Sequence, residues 1–417
     1  MSRTTVARGM RERTVEDVRA DFPILDRPVH GKRLVYLDNA ATTQRPRQVI
    51  EAMTRFYEET NANVHRSIHH LGERATELYI GAHTKAGAFV GGAAEECVFT
   101  KNATEALNLV AYAWARRHLE SGDDVLVTRM EHHSNFVPWQ AIAKEKGARL
   151  RIAELTKEGD VDVEDFKAKC TARTKVASFT GMSNVLGTLP PVRELAEVAR
   201  DRGAVSVCDG AQLVPHRKVD VARLGVDFLA FSGHKMLGPT GIGVLWGRRE
   251  ILELMEPFLY GGEMIRRVRD DATTWNELPW KFEAGTPNIA EGVGLAAAID
   301  YLEGLGMDWV ERHERDLVEY GHRRLLDVPG LQILGPPASR RGGVLAFTLG
   351  DVHAHDLASL MDDGGVAIRA GHHCAQPLMD HLGLASAARA SFYVYNTRAE
   401  VDALVEALTR ARGVFGA

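Results

Sequence analysis

Phe231-Ser232-Gly233-His234-Lys235 follows an apolar run that begins near Asp227, and Asp209 closes the earlier apolar run Ala204–Asp209. Acid and lysine therefore both stand where a strand gives way to a loop. Outward from this pair the same rhythm repeats. Cys97–Thr100, Asp124–Met130, Lys175–Thr180, Ala204–Asp209 and Asp227–Ser232 read as short strands, and helices near 105–118, 136–146 and 191–202 separate several of them. Such alternation predicts an α/β fold around a mostly parallel, buried sheet. Ligands of such sheets bind beyond the carboxyl ends of the strands. Thr104, Asp209 and Lys235 all fall at or just past such ends, so the sheet is expected to bring them together.

A lysine and an acid at two strand ends can converge on one ring. That pair suits pyridoxal phosphate: the lysine amine condenses with the aldehyde, and the acid keeps the pyridine nitrogen protonated so that the ring draws electrons. Gln212, three residues after Asp209, is a candidate partner for the phenolic oxygen. Thr104 stands at a helix start, where free N–H groups and the positive end of the dipole favour phosphate. Ser232 and His234 are further donors. Each residue also has a plainer reading: Lys235 as a solvated charge, Asp209 as a turn cap, Thr104 as a helix cap. Their shared position at strand ends favours the cofactor.

Cys374 narrows the chemistry. It lies in Arg369-Ala370-Gly371-His372-His373-Cys374-Ala375-Gln376-Pro377, a polar and His-rich stretch. Positive neighbours favour the thiolate, the reactive form, so a nucleophilic thiol is expected there. Cys97 and Cys208 fall in apolar strands and read as inert core, and Cys170 as an incidental residue on a helix face. These four cysteines form no CxxC pair and no metal-ligand spacing. No metal is expected, and such sparse usage fits a reducing cytoplasm. His132 and His133 lack further ligands of fitting geometry. They read as an imidazole stacked on a flat cofactor, or as structural hydrogen-bonding histidines. Arg389 opens a late strand, either as a bidentate clamp on a substrate carboxylate or as a surface ion pair.

The chain has 417 residues, 45% hydrophobic and 26% charged, with a formal net charge of −5. This is the balance of an ordinary globular protein, and it gives no argument for nucleic acid or an anionic membrane as partner. No apolar run reaches the roughly 18 residues of a membrane span. A large domain is expected over residues 31–300. A smaller α+β domain is expected over 301–417, joined by the segment 15–30 and carrying Cys374. Residues 258–288 break the rhythm and read as a functional or interface segment. Residues 1–14 carry Arg3, Arg8, Arg11 and Arg13. They read as a flexible basic tail, with a transit peptide as the alternative.

Several long segments in register resemble a known family. They are Tyr36-Leu37-Asp38-Asn39-Ala40-Ala41-Thr42-Thr43-Gln44, Asn63-Val64-His65-Arg66, Glu131-His132-His133, Ser183-Asn184-Val185-Leu186-Gly187, Asp209-Gly210-Ala211-Gln212, Ser232-Gly233-His234-Lys235, Phe282-Glu283-Ala284-Gly285-Thr286-Pro287-Asn288 and the stretch around Cys374. Together they resemble the class V group of fold type I pyridoxal-phosphate enzymes. More narrowly they resemble the SUF-type (group II) cysteine desulfurases and their selenocysteine lyase relatives.

The resemblance implies roles. Lys235 would hold the cofactor and shuttle protons, and His132 would stack on its ring. Asp209 and Gln212 would meet the ring nitrogen and phenolic oxygen. Thr104, Ser232 and His234 would bind phosphate, and Thr286 would bind the phosphate of a neighbouring subunit, which implies a homodimer. Asn184 and Arg389 would contact the substrate carboxylate, and Cys374 would accept the sulfur of L-cysteine as a persulfide. The implied partner is a sulfur-acceptor protein of the SufE or SufU type, within iron–sulfur cluster assembly. For a zinc-containing SufU-like acceptor the candidate contact is His355, with a helix-capping or surface histidine as the plain reading. The rival readings are a selenocysteine lyase, another pyridoxal-phosphate activity on the same fold, or a non-enzymatic metal scaffold built on His132, His133, His372, His373 and Cys374.

Overall fold

The computed structural model describes residues 13–415. The expectation of a flexible or targeting tail concerns residues that lie almost wholly outside the described ones. Thr14 caps a short helix, Val15–Arg19, through a reciprocal pair of bonds with Asp17, as its position before an apolar-periodic stretch predicts.

Seven strands form the central sheet. Their order is Cys97–Thr100, Gly243–Gly247, Phe228–Ser232, Val205–Asp209, Thr174–Thr180, Asp124–Thr128 and Arg149–Ala153. All run parallel except Gly243–Gly247, which is antiparallel to both its neighbours. Six of the seven are buried or nearly so along their length, as strands covered by helices on both faces must be. The fold type I α/β architecture expected from the sequence is therefore present.

Two of these strands and one long helix escaped the sequence reading. Gly243–Gly247 is a five-residue run ended by glycines, which read as a turn. Arg149–Ala153 is an edge strand whose arginines reach solvent. The helix His70–Val90 carries three glycines and two histidines, which blur its period. Gly243 pairs with Thr100 on one side and Ser232 on the other. That register sets the turn after Thr100 beside the turn after Ser232. A Cβ at residue 243 would stand 2.5 Å from the Asn102 Cα, so the close approach requires glycine.

A second, antiparallel sheet has the order Leu331–Leu334, Val344–Leu349, Ala387–Ser391, Arg369–Gly371. Helices Met307–Leu326, Ala354–Asp362 and Arg398–Phe415 pack on it around Leu317, Leu325, Phe347 and Leu404. Arg389 stands in the middle of its strand rather than at the start. Val366–Ala367 pairs in parallel with Val35–Tyr36, and Arg369–Gly371 joins the second sheet. The early strand therefore never enters the central sheet, and it carries Asp38 into a bridge with Ser391. Residues 258–288 contain a small hairpin, Ile265–Val268 with Thr273–Trp275. Among the described residues no helix is long and apolar enough to cross a membrane.

Candidate active site

The carboxyl ends of the parallel strands open onto a cavity of about 300 Å³. Ten residues expected at a site line it: Thr104, His132, Asn184, Asp209, Gln212, Ser232, His234, Lys235, Cys374 and Arg389. Strand register explains most of this. Thr180 pairs with Asp209, and Asp209 with Ala230, which aligns three strand ends. Ser232 ends its strand, and His234 and Lys235 follow at once in a 3-10 turn, Gly233–Lys235.

Asp209 is 5% exposed and its Oδ1 accepts the Ala211 N–H at 3.0 Å. Burial raises its pKa, and the Lys235 charge opposes that rise. Burial lowers the Lys235 amine, Asp209 pulls it back up, and Arg389 adds to the lowering. A cationic ring nitrogen beside Asp209 would offset the desolvation of its carboxylate. Gln212 spends Nε2 on the Ala40 carbonyl at 2.7 Å and keeps a buried Oε1 without a protein partner. This unsatisfied atom next to the cavity fits a polar ligand group. It differs from simple donation to a phenolic oxygen, since one amide hydrogen is already committed.

Where the helix Ala103–Leu109 meets the cavity, its cap is Asn102, whose Oδ1 takes the Glu105 N–H; Thr104 is the second residue of that helix. The Thr104 and Ser134 hydroxyls lie 2.6 Å apart. Ser232 Oγ accepts the Ala103 N–H at 2.8 Å. Burial, aided by Lys235, lowers the His234 pKa to about 4. Sequence reasoning missed Ser134, a small polar residue in a loop with no periodic signal.

His132 faces the cavity with Nδ1 accepting the Ser134 N–H at 3.0 Å. Burial and the Lys235 charge lower its pKa to about 3, so the ring is neutral. Beneath it, Glu131 is fully buried. It accepts from Thr128 Oγ1, Thr180 N (3.0 Å) and Asn135 Nδ2 (2.6 Å). Burial, with a smaller push from Asp209, raises its pKa to about 8.

Cys374 is exposed, whereas Cys97, Cys170 and Cys208 are buried. Cys170 is thus a core residue with Sγ 3.9 Å from the Val198 carbonyl, and not an incidental one on a helix face. Cys374 and His373 have positive φ angles of 55° and 52°. Three contacts hold this strained turn: His133 N to Cys374 O at 2.7 Å, Gln376 N to His133 Nε2 at 3.0 Å, and Asn184 Nδ2 to His373 O at 2.8 Å. Burial and Arg389 lower the His373 pKa to about 3.

Arg389 is 3% exposed. Its Nη1 donates to the Asn184 carbonyl at 2.9 Å and Nη2 to Asp38 Oδ1 at 3.1 Å, while Nε has no protein partner. It is therefore no surface ion pair. Thr286 does not join the cavity; it is exposed and lines a separate depression with Thr100, Lys101 and Asn288. His355 is exposed, with Nε2 beside Gly371. Among the described residues no group of three His, Cys, Asp or Glu side chains converges to hold a metal, which leaves the metal-scaffold reading without a donor set.

The aminotransferase class-V family model matches residues 35–404. A cysteine desulfurase of Haloferax volcanii is 52% identical over 415 residues, covering 96% of this chain and 97% of the relative. The apo structure of a cysteine desulfurase from Thermococcus onnurineus NA1 superposes with a TM-score of 0.92 at 40% identity, covering 97% of this chain and 98% of that one. The cysteine desulfurase CsdA of Escherichia coli gives 0.90 at 39% identity, with 96% and 99% coverage. The chain belongs to the aminotransferase class-V family, on its cysteine desulfurase branch. Its cofactor is pyridoxal 5′-phosphate.

Proposed function

We propose that this chain converts L-cysteine to L-alanine and carries the removed sulfur as a persulfide on Cys374. The convergence of Lys235, Asp209, His132 and Cys374 on one cavity carries this reading. Bound pyridoxal phosphate supplies an electron-withdrawing ring that stabilises negative charge at the substrate's α-carbon.

The residues around it have distinct tasks. Lys235 tethers the cofactor, and its amine, lowered by burial, moves the α-proton. Asp209 holds the ring nitrogen's proton, and neutral His132 covers one ring face. Gln212 meets the phenolic oxygen through its free Oε1 or its second amide hydrogen. Thr104, Ser134, Ser232 and His234 hold the phosphate. Arg389 offers Nε to the substrate carboxylate, and Asn184 steadies both Arg389 and the cysteine turn. The Cys374 thiolate then attacks the substrate sulfur: an S–S bond forms as the C–S bond breaks, and the carbon fragment takes up a proton and leaves as alanine.

The same reading extends to partners. Thr286 serves the phosphate site of a second copy in a homodimer, supported by its exposure outside its own chain's cavity. The persulfide passes to a SufU- or SufE-type acceptor for iron–sulfur cluster assembly in the cytoplasm. His355 is the contact for a zinc-bearing acceptor, supported by its exposed position near the strand that leads to Cys374. The test is alanine and sulfide release from L-cysteine, with and without each acceptor. Equimolar alanine, with sulfide release stimulated by an acceptor, supports the reading; no alanine from L-cysteine rejects it. Acceptor stimulation unchanged in His355→Ala rejects the His355 contact.

A further inference from the structure

We propose that Thr42 and Arg45 set the grip on the cofactor's phosphate through His234. Arg45 occupies a lone pair of the Thr42 hydroxyl, that hydroxyl donates to His234 Nδ1, and the imidazole is held with its Nε2 hydrogen free for a phosphate oxygen. Both are positioning residues, since neither lines the cavity. The inference rests on the proposed contact between His234 and the phosphate.

Thr42 and Arg45 belong to the turn that leads from the early strand Val35–Tyr36 to the helix Arg47–Arg55. Ala41 N and Thr42 N both donate to the Asp38 carbonyl, at 3.1 and 3.3 Å. The next residue closes onto the lysine turn. Thr43 N donates to the His234 carbonyl at 3.0 Å, and Leu237 N donates to Thr43 Oγ1 at 3.0 Å. These bonds seat the Thr42 hydroxyl 3.3 Å from His234 Nδ1. Arg45 reaches back, with Nη1 donating to Thr42 Oγ1 at 3.2 Å and to the Thr43 carbonyl.

Counting hydrogens assigns the tautomer. The His234 carbonyl accepts from Thr43 N and, at 3.2 Å, from Thr43 Oγ1. Two donors fill its two lone pairs. Thr42 Oγ1 lies 3.1 Å from the same oxygen, where it would be a third donor. Arg45 can only donate, so the Thr42 hydrogen turns away from it. The acceptor left within reach is Nδ1. A ring nitrogen that accepts leaves the hydrogen on the other one. Nε2 has no hydrogen-bond partner among the described residues, and His234 lines the cavity.

Charge points the same way. Thr104, Ser134 and Ser232 are neutral, and burial, aided by Lys235 and Arg45, lowers His234 to about 4, so it too is neutral near pH 7. The groups proposed to hold the phosphate therefore include no cation of their own. Arg45 is half-buried, and burial lowers its pKa against the pull of Tyr395 and Tyr36. No acid pairs with it among the described residues. An unpaired cation in a partly shielded place acts across a neighbouring side chain, which leaves the Arg45 charge available to a phosphate beyond His234.

The experiment titrates the full-length chain, freed of cofactor, with pyridoxal 5′-phosphate and with pyridoxal, which has the same ring and aldehyde but no phosphate. Absorbance of the bound ring gives each Kd. Thr42→Val should cut the preference for the phosphorylated form about tenfold, the scale of one hydrogen bond to a charged group, with the pyridoxal Kd unchanged. Thr42→Ser keeps the hydroxyl and should restore the preference. Arg45→Met should cut it about fivefold. Equal weakening of both ligands, or no recovery in Thr42→Ser, would reduce the pair to a structural role and overturn the proposal.

Nitrogen NMR of histidine-labelled, cofactor-free protein gives a second test that needs no ligand. The signals lost in His234→Gln should belong to a ring with hydrogen on Nε2 and a bare Nδ1 near neutral pH; hydrogen on Nδ1 contradicts the assignment. If His234→Gln leaves the preference for the phosphorylated form intact, the contact between His234 and phosphate fails. If it lowers that preference while Thr42→Val and Arg45→Met do not, only the role of this pair fails.

Discussion

The backbone N–H of His133 donates to the carbonyl of Cys374 at 2.7 Å, tying the residue after the cavity-facing His132 to the exposed thiol. The His133 side chain adds a second tie, accepting the Gln376 N–H at Nε2. His133→Ala keeps the first bond and removes the second. The cysteine turn, strained at two positive φ angles, should loosen. The expected result is faster alkylation of Cys374 by iodoacetamide and a fall of about tenfold in kcat, with the visible absorbance of the cofactor unchanged. An unchanged alkylation rate would show that the side chain does not hold the turn.

Cys374→Ser removes the only exposed thiol among the described residues while leaving the strand-end residues intact. Alanine production from L-cysteine should drop by about 100-fold or more, with the yellow colour retained. Selenocysteine is the informative second substrate, because selenium leaves more readily than sulfur. Retained selenocysteine lysis in this variant would show that the scaffold also supports the lyase reaction without the thiol. Full activity on L-cysteine would remove the persulfide mechanism.

Asp209 is buried, with Oδ1 bonded to the Ala211 N–H. Asp209→Asn preserves shape and removes charge. Loss of the carboxylate proposed to meet the ring nitrogen should lower kcat about 100-fold, the scale typical of deleting one preorganised electrostatic contact. Cofactor retention on dialysis should weaken, while the melting temperature of the apo form stays close to wild type. Wild-type turnover in this variant would place the ring nitrogen elsewhere.

Glu131 gives a pH signature. Its carboxyl is held up at about 8 by burial, well above its unfolded value near 4.5. Between those values the folded protein keeps a proton that the unfolded chain releases. The contribution of Glu131 to stability is therefore full below about pH 4.5 and is lost as pH rises toward 8. Glu131→Gln cannot ionise, and its Oε1 can still accept from Thr128 and Thr180. Its melting temperature, relative to wild type, should rise across that window. A flat difference between the two proteins would show that Glu131 titrates alike in both states.

The sequence revealed the site better than the framework around it. Asp209, Lys235 and Ser232 sit at ends of apolar runs, and parallel strands gather their carboxyl ends in one place, so their convergence could be read directly. Gly243–Gly247 could not, because flanking glycines mimic a turn and its place between two other strands depends on long-range pairing. Thr104 was legible as a helix-start residue, yet the cap is Asn102, since one residue of offset is invisible to periodicity. Cys374 stood out by its polar, His-rich surroundings. Asp38 did not, although the motif that contains it was noticed. Its contacts with Arg369 and Arg389 join distant parts of the chain, and no local pattern announces an acid whose partners come from another sheet.

The most direct test of the central claim is mass spectrometry of peptides after feeding the holoenzyme L-cysteine without an acceptor. One added sulfur on the peptide containing Cys374, and none on those containing Cys97, Cys170 or Cys208, is the predicted result. Alanine released with no sulfur on Cys374, or with the sulfur on another cysteine, would contradict it.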